Sequence, residues 1–318
     1  KATISVKGYS SVIRIFDERD RATSQTYLDT ESKPALSVDG YARMTSKYDS
    51  RGRLVEETYL DADNAAAWTA DGFSRIRHTY DPRGNRVETG YLGADEKPSY
   101  NRDGYCNARF EHDAFGRTVR ESYLGPEGGP AVHRLGYASL VRVFNKRGQV
   151  EREEYFGADA KPTLCAEGYF RFVREYDVLG NEARSRAFGT DEKPIVTVKG
   201  YASMRQAYDD RGYPVSLAFF DAEDEPTFDV NGLARVAFVN DALGRVIDES
   251  YFGTDGEPVV DVNGIARRTQ QFDARGRVTE DSYFGANGLP VMVRGGAATT
   301  RYTFDEASGN AIDSGQAP

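Results

Sequence analysis

Ten glycines fall 32 residues apart: Gly8, Gly40, Gly72, Gly104, Gly136, Gly168, Gly200, Gly232, Gly264 and Gly296. No insertion or deletion interrupts the spacing. Surface loops of ordinary domains tolerate changes of length. A period held this rigidly predicts repeating units that stack on their neighbours in fixed register.

Each unit reads the same way. A bulky residue follows the glycine, as at Tyr9, Tyr41 and Phe73, then a small one. About six residues of mixed alternation end on an aromatic (Phe16, Tyr48, Tyr80), with His112 and Asn240 as exceptions. This pattern predicts a strand. An Asp-x-x-Gly turn comes next, with glycine at Gly52, Gly84, Gly116, Gly148, Gly180, Gly212, Gly244 and Gly276. Aspartate accepts hydrogen bonds from turn amides, and glycine takes positive φ without a Cβ clash, so the spacing predicts a three-residue hairpin loop. Asp20 holds the glycine place in the first unit, which predicts a more strained turn there.

A second strand ends on a bulky pair such as Tyr59/Leu60 or Tyr251/Phe252. Adjacent strand residues point to opposite faces, so the pair predicts a sheet covered on both faces or a corner in the strand. A six-residue Gly/acid/Pro loop and a short apolar stretch, a candidate third strand, complete the unit. The predicted fold is all-β: tandem 32-residue repeats of antiparallel β-hairpins forming an elongated, twisted, solenoid-like array. Residues 1–7 read as part of a repeat, with more array expected upstream. Residues 8–295 read as nine repeats, 296–312 as a degenerate capping repeat and 313–318 as a disordered tail.

The formal net charge of −9 argues against a nucleic-acid binder, which needs a basic face. No apolar run approaches the ~18 residues of a membrane span, so no membrane insertion is expected. Cys106 and Cys165 occupy different phases of the repeat and form no CxxC pair, which predicts free, partly buried thiols.

Acidic loops make Asp61, Asp63, Asp221, Glu223 and Asp224 the calcium candidates. Calcium needs six to eight oxygens, and these loops offer few; Lys33, Lys97, Lys161 and Lys193 sit in the equivalent loops. Solvated turns are the expectation, with no metal and no cofactor. The recurrent aromatics predict a buried column. The alternative is exposed rings that stack on a glycan, with Tyr251 and Tyr283 as the positions to test. Recurrent arginines, in the turn at Arg19, Arg51, Arg83, Arg147 and Arg211 and on the first strand at Arg43, Arg75, Arg171, Arg235 and Arg267, predict intramolecular ladders with second-strand acids such as Glu56, Glu121 and Glu249. The three histidines lie in no catalytic motif, so no enzyme is expected.

The turns YDSRGR (Tyr48–Arg53), YDPRGN (Tyr80–Asn85) and YDVLGN (Tyr176–Asn181) resemble the YD repeats of the bacterial RHS family and the animal teneurins. The likeness recurs along the chain but covers about a third of each unit. It implies spiralling β-hairpins in a secreted or cell-surface protein. The 32-residue spacing, the Gly-aromatic opening and the Gly/acid/Pro loop depart from that family's looser repeats, so its shell-and-cargo role is not carried over. The functional expectation is a non-enzymatic structural or protein-binding scaffold. The alternatives are a glycan-binding module and a shell or filament subunit that self-associates through open sheet edges.

Overall fold

The computed structural model describes residues 5–293, 297–305 and the backbone of 311–317. Every element among them is a strand or a turn. The chain divides into two compact units, one of Lys1–Val143 with Glu153–Ala166 and one of Phe144–Arg152 with Glu167–Pro318.

The first unit holds β1 (Ser11–Phe16), β2 (Ala22–Leu28), β3 (Arg43–Tyr48), β4 (Leu54–Leu60), β5 (Arg75–Tyr80), β6 (Arg86–Leu92), β7 (Asn107–His112) and β8 (Thr118–Leu124). The division then runs through the hairpin of β9 (Ser139–Phe144) and β10 (Val150–Phe156). The second unit holds β11 (Arg171–Tyr176), β12 (Glu182–Phe188), β13 (Ser203–Tyr208), β14 (Pro214–Phe220), β15 (Arg235–Asn240), β16 (Val246–Phe252), β17 (Arg267–Phe272), β18 (Val278–Phe284), β19 (Thr299–Phe304) and β20 (Ala311–Ala317).

Within each unit consecutive strands pair antiparallel, by two kinds of contact. Inside a repeat the hairpin ladder is long, as in Arg43↔Leu60 through Tyr48↔Leu54, with a bulge before its last pair. Between repeats it is short, as in Ser24↔Thr45 to Thr26↔Arg43. The second unit repeats this, with Arg235↔Phe252 through Asn240↔Val246 inside a repeat and Ser216↔Ala237 to Ala218↔Arg235 between repeats. The expected third strand contributes single bridges instead, such as Leu60↔Ala66 and Phe252↔Pro258. Proline lacks the amide that would extend a ladder through that point.

Three turns of one design punctuate each repeat. In the first, Asp17 N donates to Arg21 O at 2.9 Å and Asp20 N to Asp17 O at 3.1 Å. The second does the same with Asp29, Ser32 and Lys33, and the third with Ser37, Gly40 and Tyr41. In every case the fourth residue is left-handed: Asp20 has φ 57°, Ser32 63° and Gly40 88°. The Gly/acid/Pro loop is therefore the same turn as the Asp-x-x-Gly hairpin tip, and the opening glycine closes a third.

The third turns bind repeat to repeat. Ala70 N donates to Asp39 O at 2.8 Å, and Arg134 N to Asp103 O at 2.8 Å. In the second unit Val230 N donates to Lys199 O at 3.0 Å. This backbone-to-backbone ladder accounts for the unbroken period, because one inserted residue would misalign every bond beyond it. The tenth glycine, Gly296, and most of the last hairpin turn lie outside the described residues.

The tail expected over 313–318 is instead occupied, as far as Ala317, by β20, antiparallel to β19 from Thr299↔Ala317 to Phe304↔Ala311. Its ladder is made of backbone groups and needs no apolar side chain. One added residue in the preceding turn places β20 one position later than earlier second strands, and the ladder still forms.

Candidate interaction surface

What each column of side chains does separates the parts that hold the array together from the part left free. The bulky residue after the opening glycine interleaves with the aromatic near the end of each second strand. In the first unit this makes an unbroken ring ladder: Tyr9/Tyr27 at 4.4 Å, Tyr27/Tyr41 at 5.6 Å, Tyr41/Tyr59 at 4.8 Å, and so on to Tyr137/Tyr155 at 4.8 Å. Stacked and edge-on pairs at these distances add to the burial gain. Burial pushes the Tyr59 and Tyr123 hydroxyls well above the usual phenol range. Tyr123 donates to Glu121 at 3.0 Å, and Glu121 also pairs with Arg142. His133 joins the ladder, stacked on Tyr137 at 5.5 Å, and burial lowers its pKa.

In the second unit the column changes character. Tyr201 stacks on Phe219 at 4.7 Å. Leu233 and Val236 then complete a cluster with Phe219, and Tyr251 and Val259 pack against it. Tyr251 is thus half-buried core, not a free ring. Tyr283 donates to Asp281 at 2.9 Å, and the Arg268 guanidinium lies 5.8 Å from its ring centre. Both glycan-stacking positions are engaged within the sheet face. Leu28 and Leu124, the second members of the bulky pairs, are buried as well, so both faces of the sheet are covered at that end of the strand.

At the hairpin tips the aspartates are caps. Asp49 Oδ1 accepts the amides of Arg51 and Arg53 at 2.9 Å each, and Oδ2 accepts from Arg53. The Arg21 side chain in the equivalent place holds the Asp17 carboxyl down at about 2. The turn arginines reach to the next repeat: Arg51 donates to Pro82 O at 2.8 Å and Arg147 to Val178 O at 2.8 Å. Where the residue before the aspartate is tyrosine, it reaches back. Tyr48, Tyr80, Tyr176 and Tyr208 donate to the carbonyls of Ala22, Leu54, Val150 and Glu182. His112 meets Arg86 O at 2.8 Å and Asn240 meets Pro214 O at 2.7 Å. The two exceptions to the aromatic pattern keep the tyrosines' hydrogen bond.

Three of the calcium candidates, Asp61, Asp221 and Asp224, have partners within the protein. Asp61 Oδ1 accepts the amides of Asp63 and Ala65, and Asp221 Oδ1 those of Glu223 and Glu225. Asp224 faces Arg184, Arg186 and Arg205, which oppose a cation there. Among the described residues no group of three or more His, Cys, Asp or Glu could hold a metal ion. Cys106 and Cys165 are free and buried. No described helix is long and apolar enough to cross a membrane.

One column has no such internal use. The residue just before each third turn is apolar and exposed throughout: Leu36, Trp68, Tyr100, Val132 and Leu164 in the first unit, at 42–53% of their surface, and Val196, Phe228, Val260 and Met292 in the second, at 44–65%. Single exposed apolar residues are ordinary. Within each unit, a row that recurs in every repeat makes an apolar ridge, and such surfaces mark interaction sites.

The ridge leans on the second turn of the following repeat. A Cβ placed on Gly93 would lie 2.6 Å from the Trp68 ring and 3.0 Å from Asp95 Oδ1. One on Gly125 would lie 3.1 Å from the Tyr100 hydroxyl. The ridge therefore runs directly beside the acidic second turns. The sequence carries its signal as an apolar residue two places after the recurrent proline, which reads equally well as core.

No protein family model and no curated protein matches the chain. Among solved structures, the TcdB2-TccC3-TEV crystal structure aligns with 98% of this chain and 16% of its own, at 12% identity and a TM-score of 0.41. The Photorhabdus luminescens Tc holotoxin pore aligns with 95% and 17%, at 13% identity and a TM-score of 0.39. A porin-like protein from Bacteroides uniformis aligns with 76% and 87%, at 12% identity and a TM-score of 0.17. This chain spans less than a fifth of the first two chains. At such identities and scores these likenesses carry no argument about partner or activity.

Proposed function

We propose that the chain is a non-enzymatic repeat scaffold that presents its apolar ridge to a protein partner. The observation that supports this is the ridge itself. Three other recurrent columns have internal roles: the ring ladder as core, the tip aspartates as caps, the turn arginines as ties between repeats. The row from Leu36 to Leu164 is spared from those roles yet stays apolar in each repeat. Its setting, on the resemblance of the Tyr-Asp turns to YD repeats, is a secreted or cell-surface bacterial protein.

Two changes test this together. Removal of one internal 32-residue window, residues 73–104, brings like positions together and leaves a shorter folded array, read as a retained β circular-dichroism spectrum. Replacement of Leu36, Tyr100 and Val132 by serine leaves thermal stability within a few degrees and lowers binding of a hydrophobic dye. Collapse of the shortened chain sinks the scaffold. A large stability loss in the serine variant assigns the ridge to the fold instead of to a partner.

A further inference from the structure

We infer that the first unit's ridge takes a basic amphipathic α-helix; this rests on the ridge being the protein-binding surface proposed above. The first argument is spacing. Each repeat adds two strands, so neighbouring ridge residues stand ~10 Å apart at ~4.8 Å per strand. A helix returns to the same face every seven residues, a rise of about 10.5 Å. An extended peptide returns to the same face about every 6.8 Å and falls out of step after one repeat.

The second argument is charge. The second turns that border the ridge carry Asp63, Asp95, Glu127 and Asp159 at exposed positions, and no second turn of this unit has a net positive charge. Asp95 and Asp159 face Lys97 at 3.9 Å and Lys161 at 3.6 Å, while the turns of Asp63 and Glu127 hold no lysine. Across the chain these turns hold more formal negative charge than the whole protein's net −9. On the ridge's other side Arg102 and Arg134 are already taken, by Asp71 at 3.6 Å and Asp103 at 2.5 Å. A helix with one apolar stripe and lysines on its flank is complementary to this surface, whereas a second copy of the chain would bring a like-charged row to it.

Trp68 is the chain's single tryptophan, so its emission reports on the ridge alone. The probe is a synthetic peptide of about four heptads with leucines on one stripe and lysines on its flanks. Its controls are a glutamate-flanked counterpart and a proline-interrupted version that cannot form the helix. The expected result is a saturable blue shift of Trp68 with the lysine peptide, at an affinity about ten-fold above that of the glutamate peptide and weakening with salt. Asp63→Lys with Glu127→Lys reverses the preference, and Tyr100→Ser with Val132→Ser removes the shift while circular dichroism is unchanged.

Equal binding of the lysine and glutamate peptides, or of the proline version, overturns the basic helix but leaves the ridge a protein-binding surface. A blue shift that grows with protein concentration in the absence of peptide does the same, in favour of a second copy. No shift with any peptide or concentration overturns both readings.

Discussion

The second and third turns of the repeat have the same hydrogen bonds and the same left-handed fourth residue, but they tolerate different residues there. In the second turn that place holds glycine in some repeats and Ser32, Asn64, Glu96, Ala160, Glu192 and Asp224 in others, these six with φ between 59° and 71°. In the third turn it is glycine from Gly8 to Gly264. The difference lies in what a side chain would meet. A Cβ at Gly128 or Gly256 of the second turn has nothing within 4 Å, whereas one at Gly40 or Gly72 would lie 2.8 Å from the carbonyl oxygen of Trp68 or Tyr100 in the next repeat. Positive φ alone can be borne by other residues. Positive φ with another backbone pressed against the Cα cannot, so the invariant column marks where repeats touch.

The crowding is not uniform along the third-turn column. At Gly264 a Cβ would again meet nothing within 4 Å. The largest expected effect therefore comes from placing alanine at two glycines of the same turn. Gly72→Ala combines left-handed strain with a backbone clash and costs about 3 kcal/mol. Gly264→Ala carries the strain alone and costs about 1–2 kcal/mol. Urea denaturation of the two variants measures both. Equal losses would break the comparison and return the period to turn chemistry.

The first turn differs from both in carrying a depressed carboxyl in repeat after repeat. Ion pairing and amide caps hold Asp17 at about 2 and lower Asp49, Asp113, Asp241 and Asp273 as well, with the following arginines as partners. A carboxyl depressed in the folded state contributes stability that is full above its unfolded value near ~4 and is lost as pH falls through the folded one. The contribution of these carboxyls is therefore expected to be flat from neutral pH to about 5 and to fall steadily between about 4 and 2. Asn145 caps its turn through the same oxygen, accepting from Arg147 at 2.9 Å and Gln149 at 3.1 Å without a charge. Asp49→Asn and Asp241→Asn together should then keep the fold at pH 7 and shallow the acid limb; an unchanged limb would locate the acid sensitivity elsewhere.

A smaller effect tests the third turn's first residue. His133 caps its turn through Nδ1, which accepts the Leu135 amide at 3.0 Å and so must be unprotonated. Burial lowers its pKa, so its contribution is present above the ordinary value near ~6.5 and is lost as pH falls below it. Asn101 fills the same place one repeat earlier and caps the Asp103 and Tyr105 amides. His133→Asn should remove a stability change of about 1 kcal/mol between pH 7 and 5 with little change at pH 8. A difference that persists at pH 8 would mean the ring's place in the aromatic ladder outweighs the cap.

How much of this could be read beforehand depended on whether a position is chosen by conformation or by surroundings. The first hairpin turn announces itself, because aspartate and glycine supply its cap and its φ within a few residues. The second turn is the same structure, but Ser32, Glu96 and Ala160 at its left-handed place carry no glycine signature. His112 and Asn240 break the aromatic pattern yet keep the tyrosines' bond to a carbonyl, whereas Phe272 keeps the ring, under Arg245, without that bond. The ridge was hidden for another reason. Leu36, Trp68 and Tyr100 are apolar, periodic and next to a turn, as core residues would be, and only their exposure in the folded chain shows them lying on its outside.

The smallest expected effect sharpens the same contrast from the permissive side. Ala160 holds a left-handed φ of 59° in a second turn, where the equivalent Gly128 and Gly256 have open space around a Cβ. Its methyl group is expected to contribute local strain and no packing between repeats. Ala160→Gly relieves a strain of about 1–2 kcal/mol but gives the unfolded chain more freedom, which offsets about 0.4–1 kcal/mol. The net expectation is stabilisation of about 0.5 kcal/mol, a shift of a degree or two in the melting midpoint for a chain of this size. The reverse substitution at Gly256, Gly256→Ala, should cost a similar amount. A loss on Ala160→Gly would mean that the alanine side chain makes a contact, and the second turn would then be a stacking element like the third.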